Sequence, residues 1–163
     1  LFGAEFRFDL VRPRAALYWI NPVPGGPNPF SQAVTLSARV IQIREVPAGT
    51  SVGYGHERTV ERQSRLATLS LGYADGWPRA ANMSAFYKGK ALPFAGRVSM
   101  DSIVVDATDC AKAPREGEFV SLMCREQTVD DVARAAGTIG YEILTRLGRR
   151  FARDYGRHAA LAA

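Results

Sequence analysis

The sequence predicts a mostly β domain, an antiparallel barrel or sandwich with a short helical insertion. Three observations predict it. Apolar runs are short and punctuated by Gly and Pro, the pattern of strands joined by tight turns. Helical periodicity with caps is confined to one stretch near the C-terminal end, residues 128–148. The composition, 47% hydrophobic and 23% charged over 163 residues, is that of an ordinary soluble domain large enough to build a core.

The first run, FRFDLVR at 6–12, alternates apolar and charged residues, the period-2 signature of a half-buried strand. NPVPGGPNP at 21–29 can continue neither a helix nor a central strand, so it is a linker. The expected organisation is a short N-terminal piece over 1–19, a linker over 20–30 and the main domain over 31–163. In that domain Val34, Leu36, Ala38 and Val40 share one face of a strand running to Val46, and Pro47-Ala48-Gly49 turns the chain. Further strands are expected at 65–71, at 84–88 and 91–95 around Lys88-Gly89-Lys90, at 97–106 and at 118–123. Thr128 followed by Asp130 and Asp131 has the form of a capped helix start, with acids at the positive helix end. Val129, Val132, Ala133 and Ala136 form its apolar stripe, stopped by Gly137. A second short helix is expected from Ile139 to Leu147.

Composition also bounds function. A structural zinc site needs about four Cys or His ligands, which would take both His and both Cys of the whole chain; Cys110 and Cys124 are too far apart for a CxxC motif and too few for a disulfide framework, so no metal is expected. The reduced setting of the cytoplasm is the default. No apolar run is long enough to span a bilayer, and charges at Glu5, Arg7, Asp9 and Arg12 argue against a signal peptide. With Leu rather than Met at its start, the chain is expected to be the later part of a longer protein. The net charge of +5 permits an anionic partner. The cluster from Arg146 to Arg157 reads as a solvated basic end. A nucleic-acid-binding barrel would need an alternating aromatic and basic stripe, and none is present.

Three runs could carry chemistry. Val52-Gly53-Tyr54-Gly55 sets a tyrosine between two glycines, where another molecule can approach closely. Its hydroxyl could move a proton if nearby positive charge lowered its pKa from about 10; equally, it could be a turn residue. Leu71-Gly72-Tyr73-Ala74-Asp75-Gly76-Trp77-Pro78-Arg79 carries aromatics and charges on a loop, as binding sites often do, or forms a structured turn. In Gly96-Arg97-Val98-Ser99-Met100-Asp101, a strand would put Arg97, Ser99 and Asp101 on one face, where a plain surface ion pair is worth little.

Taken in order, GYG, LGYADGWPR and GRVSMD, with FDLVRPRAALY upstream and TIGYEILTRLGRR downstream, closely resemble the C-terminal domain of bacterial alanine racemases. The resemblance covers residues 6 to about 150. It implies a pyridoxal-phosphate enzyme with an N-terminal (β/α)8 barrel and a C-terminal β domain, working on alanine as a head-to-tail homodimer. Residues 6–18 would be the last barrel strand and its exit. The resemblance makes Tyr54 the acid/base facing the α-proton of the L-enantiomer. Met100 would hold the substrate carboxylate through its backbone N–H, and Tyr73 would lie near the substrate entrance. Arg12 would bond the pyridine nitrogen, Tyr141 would reach the cofactor phosphate, Ala15 would also bind the cofactor, and Asp101 would be structural support. The implied role is D-alanine supply for peptidoglycan in the cytoplasm, with neither nucleic acid nor membrane as partner.

Two positions depart from the family. Arg14 stands where a glycine follows Arg-Pro, and Trp19 where a glycine commonly follows the tyrosine. Arg14 could add a charge-assisted phosphate bond or crowd the site. The family's Schiff-base lysine lies in the barrel, and Lys88, Lys90 and Lys112 match none of its motif. The chain alone is therefore expected to be inactive. The alternatives are a racemase of the same family with broader amino-acid specificity, and a non-catalytic β module for binding or dimerisation.

Overall fold

The computed structural model describes residues 3–10, 12, 14–23, 25–53 and 58–155. Eight strands and two α-helices follow one another. They are β1 (Leu36–Val46), β2 (Ser51–Val52), β3 (Arg58–Thr59), β4 (Ser64–Leu69), β5 (Ser84–Tyr87), β6 (Lys90–Pro93), β7 (Ile103–Asp106), β8 (Phe119–Met123), α1 (Val129–Ala136) and α2 (Gly140–Arg146). Six strands form one antiparallel sheet in the order β6-β5-β8-β1-β4-β7. Phe94, just past β6, bridges to Val105 on β7, so the two edges meet and the sheet nearly closes into a barrel. Near-closure leaves few unpaired edge groups exposed.

β1 is the spine of this barrel. Leu36, Ala38 and Val40 point inward as their alternation predicts. The register against β4 then slips between Val40 and Gln42, a bulge that reverses the alternation, so that Ile43 packs on the barrel core and Val46 is buried in a separate cluster. Inside lie Val40, Leu69, Leu71, Trp77, Phe94 and Leu122, all essentially inaccessible to solvent. Burying each such side chain stabilises the fold by about 1.5–3 kcal/mol before conformational entropy is set against it. One buried amide joins in: the Gln127 Nε2 group donates to the carbonyls of Leu122 and Ser84 at 2.6 and 2.8 Å, tying β8 to the start of β5. A second, smaller cluster of Val46, Val52, Val60, Leu66 and Ala95 sits under the β2–β3 hairpin.

The α-helices cap the barrel. Thr128 caps α1 reciprocally with Asp131, and Gly137 ends it in a left-handed conformation at φ 69°. Val132 and Ile143 anchor α1 and α2 in the barrel core.

Three expectations change. Among the described residues of 6–12 no strand forms; a 3-10 turn covers Ala4–Phe6, and Phe8 and Leu10 are exposed. A strand needs neighbours to take its backbone hydrogen bonds, and this segment has none among the described residues. The run 97–106 is a strand only from Ile103; before it Ser99 N–H bonds the Ser102 carbonyl in a turn, so Arg97, Ser99 and Asp101 do not share a strand face. Finally, the short hairpin of β2 and β3 was not anticipated, because two-residue strands carry too little alternation to read. Among the described residues, no helix is long and apolar enough to cross a membrane.

Candidate active site

Tyr54 lies outside the described residues, as do Gly55, His56 and Glu57. Gly53, at φ 81°, packs on the backbone of Gly96 and Arg97; Gly96, at φ 106°, lies against the Val52 carbonyl. Two left-handed glycines facing each other let two backbones approach with no Cβ between them. The GYG and GRVSMD runs therefore meet.

The third run joins them at Gly72. A Cβ there would stand 2.2 Å from the Met100 carbonyl oxygen, so only glycine fits. Tyr73 N–H donates to the Ser99 carbonyl at 3.0 Å and Ala74 N–H to the Met100 carbonyl at 2.9 Å. Met100 itself projects an exposed side chain. Its position is thus set by main-chain bonds.

Asp75 shapes the same turn. It is 6% exposed, and Oδ2 accepts the Gly72 N–H at 2.9 Å while Oδ1 faces Arg150 Nε at 3.1 Å. Arg150 also donates from Nη1 to Asp101 Oδ1 at 2.9 Å. Its hydrogen bond to Asp101, and next the charge of Asp75, raise the pKa of this guanidinium further. Beyond the turn, the Arg79 guanidinium lies 5.7 Å from the centre of the Tyr73 ring, a cation–π distance. Tyr73, Trp77, Arg79 and Arg146 line an open cleft of about 580 Å³.

A second group of candidates sits where the N-terminal segment meets the helices. Arg12 is exposed, between positions outside the described residues. Ala15 packs half-buried against the core, as does Tyr141 at the start of α2. Ile20 joins the two. Its N–H bonds the Ala15 carbonyl at 3.2 Å, and its side chain presses on Gly140, where a Cβ would stand 3.0 Å from Ile20 Cγ1. The Asn21 N–H donates to Asp130 Oδ2 on α1 at 2.8 Å, fastening the linker's first residue. Arg14 and Trp19 both have positive φ, 41° and 63°, the left-handed region that favours glycine.

The structure therefore brings Gly53, Tyr73 and Met100 into one loop cluster, and Ala15 and Tyr141 into another. The sequence reading missed Arg150, which it took for part of a solvated basic end. No local signal marks one arginine of a run as the one that reaches two carboxylates far away in sequence.

The fold is thus a nearly closed antiparallel β barrel with two helices packed on its core, and the three loop runs meet on it. The chain belongs to the family described as "Alanine racemase, C-terminal domain", whose model matches residues 33–155. It is 51% identical over 154 residues to the catabolic alanine racemase of Mesorhizobium japonicum, covering 94% of this chain and 40% of that protein. With the alanine racemase of Methylobacterium sp. strain 4-46 it shares 48% over 156 residues, covering 94% and 43%. Among solved structures, it matches the alanine racemase of Bartonella henselae with covalently bound pyridoxal phosphate, with a TM-score of 0.85, 45% identity and coverage of 93% and 43%. The Bacillus anthracis alanine racemase with bound L-Ala-P matches with a TM-score of 0.71, 30% identity and coverage of 82% and 36%. The chain spans about two fifths of the length of these relatives.

Proposed function

We propose that this chain is the C-terminal part of a pyridoxal-phosphate-dependent alanine racemase that interconverts L- and D-alanine. On this reading residues 1–19 are the end of the barrel, 20–30 the linker and 31–163 the β domain. The observation that carries it is the meeting of Gly53 with Gly96–Arg97 and of the Gly72–Gly76 turn with Met100. It gathers, from three separate stretches, the residues that would face one substrate.

The roles follow from what each group can do. Tyr54 gives and takes the α-proton on the face of the L-enantiomer. A phenol with an ordinary pKa of about 10 is a weak base near neutrality, so this needs a cation beside it. Met100 holds the substrate carboxylate through its N–H, and Tyr73 borders the way in. Arg12 bonds the pyridine nitrogen of the cofactor. Ala15, through its N–H, and Tyr141, through its hydroxyl, take the phosphate. The donors fit that group: the first N–H groups of the 3-10 turn Arg14–Tyr18 have no partner within it, and Tyr141 flanks the Ile20–Gly140 contact. When bound, the cofactor supplies the electron sink that makes the α-proton removable. The resemblance puts the Schiff-base lysine in the barrel, and Lys88 and Lys90 on the β5–β6 hairpin and Lys112, all exposed, match none of its motif. The enzyme acts as a head-to-tail homodimer in the cytoplasm, each β domain completing the partner's site, and supplies D-alanine for peptidoglycan.

The test follows solvent deuterium entering the α-position of L-alanine and of D-alanine, using the enzyme extended upstream through its native reading frame. Exchange in that enzyme, with a loss of about 10²-fold or more from the L side in Tyr54→Phe, is expected for a lost acid/base. Absence of exchange in the extended, cofactor-loaded enzyme would overturn the reading.

A further inference from the structure

We propose that Arg150 is a positioning residue: by bridging Asp75 and Asp101 it fixes the Met100 peptide in the orientation that receives the substrate carboxylate. The inference rests on the racemase reading above and deepens it, since it concerns the chain's own scaffold behind the carboxylate site.

Met100 is held unusually for a binding residue. Its side chain is 50% exposed, so packing does not fix it. What fixes it is the main chain on either side. Before it, the Ser99 carbonyl accepts from Tyr73 N–H; at it, the Met100 carbonyl accepts from Ala74 N–H at 2.9 Å; after it, the Asp101 carboxylate is held by Arg150 at 2.9 Å. The peptide N–H of Met100 lies between the first and second of these restraints, and the third stops the segment from rotating about them.

Arg150 makes the arrangement one unit rather than two. Its Nε faces Asp75 Oδ1 at 3.1 Å, and Asp75 is the buried acid whose other oxygen accepts the Gly72 N–H. The Asp75 carbonyl also accepts the Gly148 N–H at 3.1 Å, which brings the segment carrying Arg150 back onto the turn. The guanidinium fork suits this task because two N–H directions are fixed relative to each other, whereas a lysine ammonium acts as a single point charge. One planar group thus sets the spacing between the turn that carries Tyr73 and the segment that carries Met100.

A merely structural arginine and a positioning arginine give different kinetics. Loss of fold lowers the amount of active enzyme and leaves the KM of what remains unchanged. Loss of alignment at the carboxylate weakens substrate binding and leaves the cofactor bound. In the full-length enzyme, Arg150→Met is expected to raise KM for L- and D-alanine by roughly tenfold, with kcat per bound cofactor within about twofold and the cofactor absorbance unchanged. Arg150→Lys, reaching one carboxylate at a time, should fall between. Asp101→Asn, an exposed change that leaves the core alone, should raise KM in the same direction, and adding it to Arg150→Met should have little further effect, as for two members of one unit. An unchanged KM in Asp101→Asn and Arg150→Lys, or additive effects in the double variant, overturns the proposal while the wild-type racemisation keeps the parent reading intact. A wild-type enzyme without α-proton exchange overturns both.

Discussion

Gly76 and Gly137 both adopt left-handed backbone, φ 104° and 69°, and a sequence gives no means of telling them apart. The structure does. A Cβ on Gly137 meets nothing within 4 Å, whereas on Gly76 it would stand 2.1 Å from the Arg146 carbonyl oxygen. Gly137→Ala should therefore cost only the conformational penalty, about 1 kcal/mol. Gly76→Ala must push the Tyr73–Asp75 turn away from the end of α2, at more than about 3 kcal/mol. Thermal unfolding separates them: about 3 °C for the first, and about 10 °C or failure to fold for the second. Equal losses would mean that the turn and α2 do not touch. The same distinction limits what could be read at other positions. Tyr73, Met100 and Tyr141 were identifiable by type and order, but what fixes them could not be seen. Gly72 against the Met100 carbonyl, and Arg150 between two acids, are contacts made across distant segments.

At the scale of elements, the readable parts were those whose own residues enforce them. β1, β4, β5, β6 and β8 alternate strongly or flank a Lys-Gly-Lys turn, and each lies within a few residues of its expected place. α1 announces itself through its caps, Thr128 and Gly137, whereas α2 is legible only from its apolar spacing. In contrast, β2 and β3 exist because Val52 and Val60 find Val46 and Leu66, a tertiary cause. The α1 cap carries a pH dependence. Burial pushes the Asp131 carboxyl up, but the Thr128 hydroxyl and N–H and then Arg134 outweigh it and hold the group below its ordinary 3.8. A carboxylate with a depressed folded pKa adds stability above the unfolded value, and the gain is lost as pH falls through the folded one. Thr128→Ala should cost about 1 kcal/mol near neutrality. Asp131→Asn should destabilise at pH 7 and lose that effect in acid, as pH falls through the lowered folded pKa and the wild-type acid is protonated too. Urea unfolding of both variants at pH 7 and in acid measures this; an Asp131→Asn penalty that persists undiminished in acid would show that charge plays no part in the cap.

The whole molecule divides into a well-packed barrel and an N-terminal segment without a surface to pack on. Phe8, Leu10, Leu17 and Tyr18 are between 50% and 80% exposed, large apolar side chains left open to solvent. Among the described residues, its far end is tied down through Ala15 on the core, Ile20 on Gly140 and Asn21 on Asp130. That explains why the alternation of 6–12 was legible as a strand and yet forms none here: alternation records which residues expect burial, while a strand also needs a neighbour's hydrogen bonds. It also fixes how the chain should open to a protease. Cleavage needs an exposed, unpaired stretch of backbone, and its rate follows the local opening free energy. Trypsin should cut after Arg7 and Arg14 first, sparing Arg12, whose successor is Pro13. Arg65 and Arg125 lie within the sheet and the β8–α1 turn, and cleavage there should be slower by at least about tenfold. In the enzyme extended upstream, the same side chains would be covered, and Arg7 and Arg14 should become as resistant as the barrel. Mass spectrometry of timed digests reads both halves of this expectation. Early cuts within 36–147 would show the barrel to be loosely held. Equal lability of Arg7 and Arg14 with and without the upstream sequence would mean that these side chains have no partner there, which would remove the reason for placing residues 1–19 at the end of a barrel.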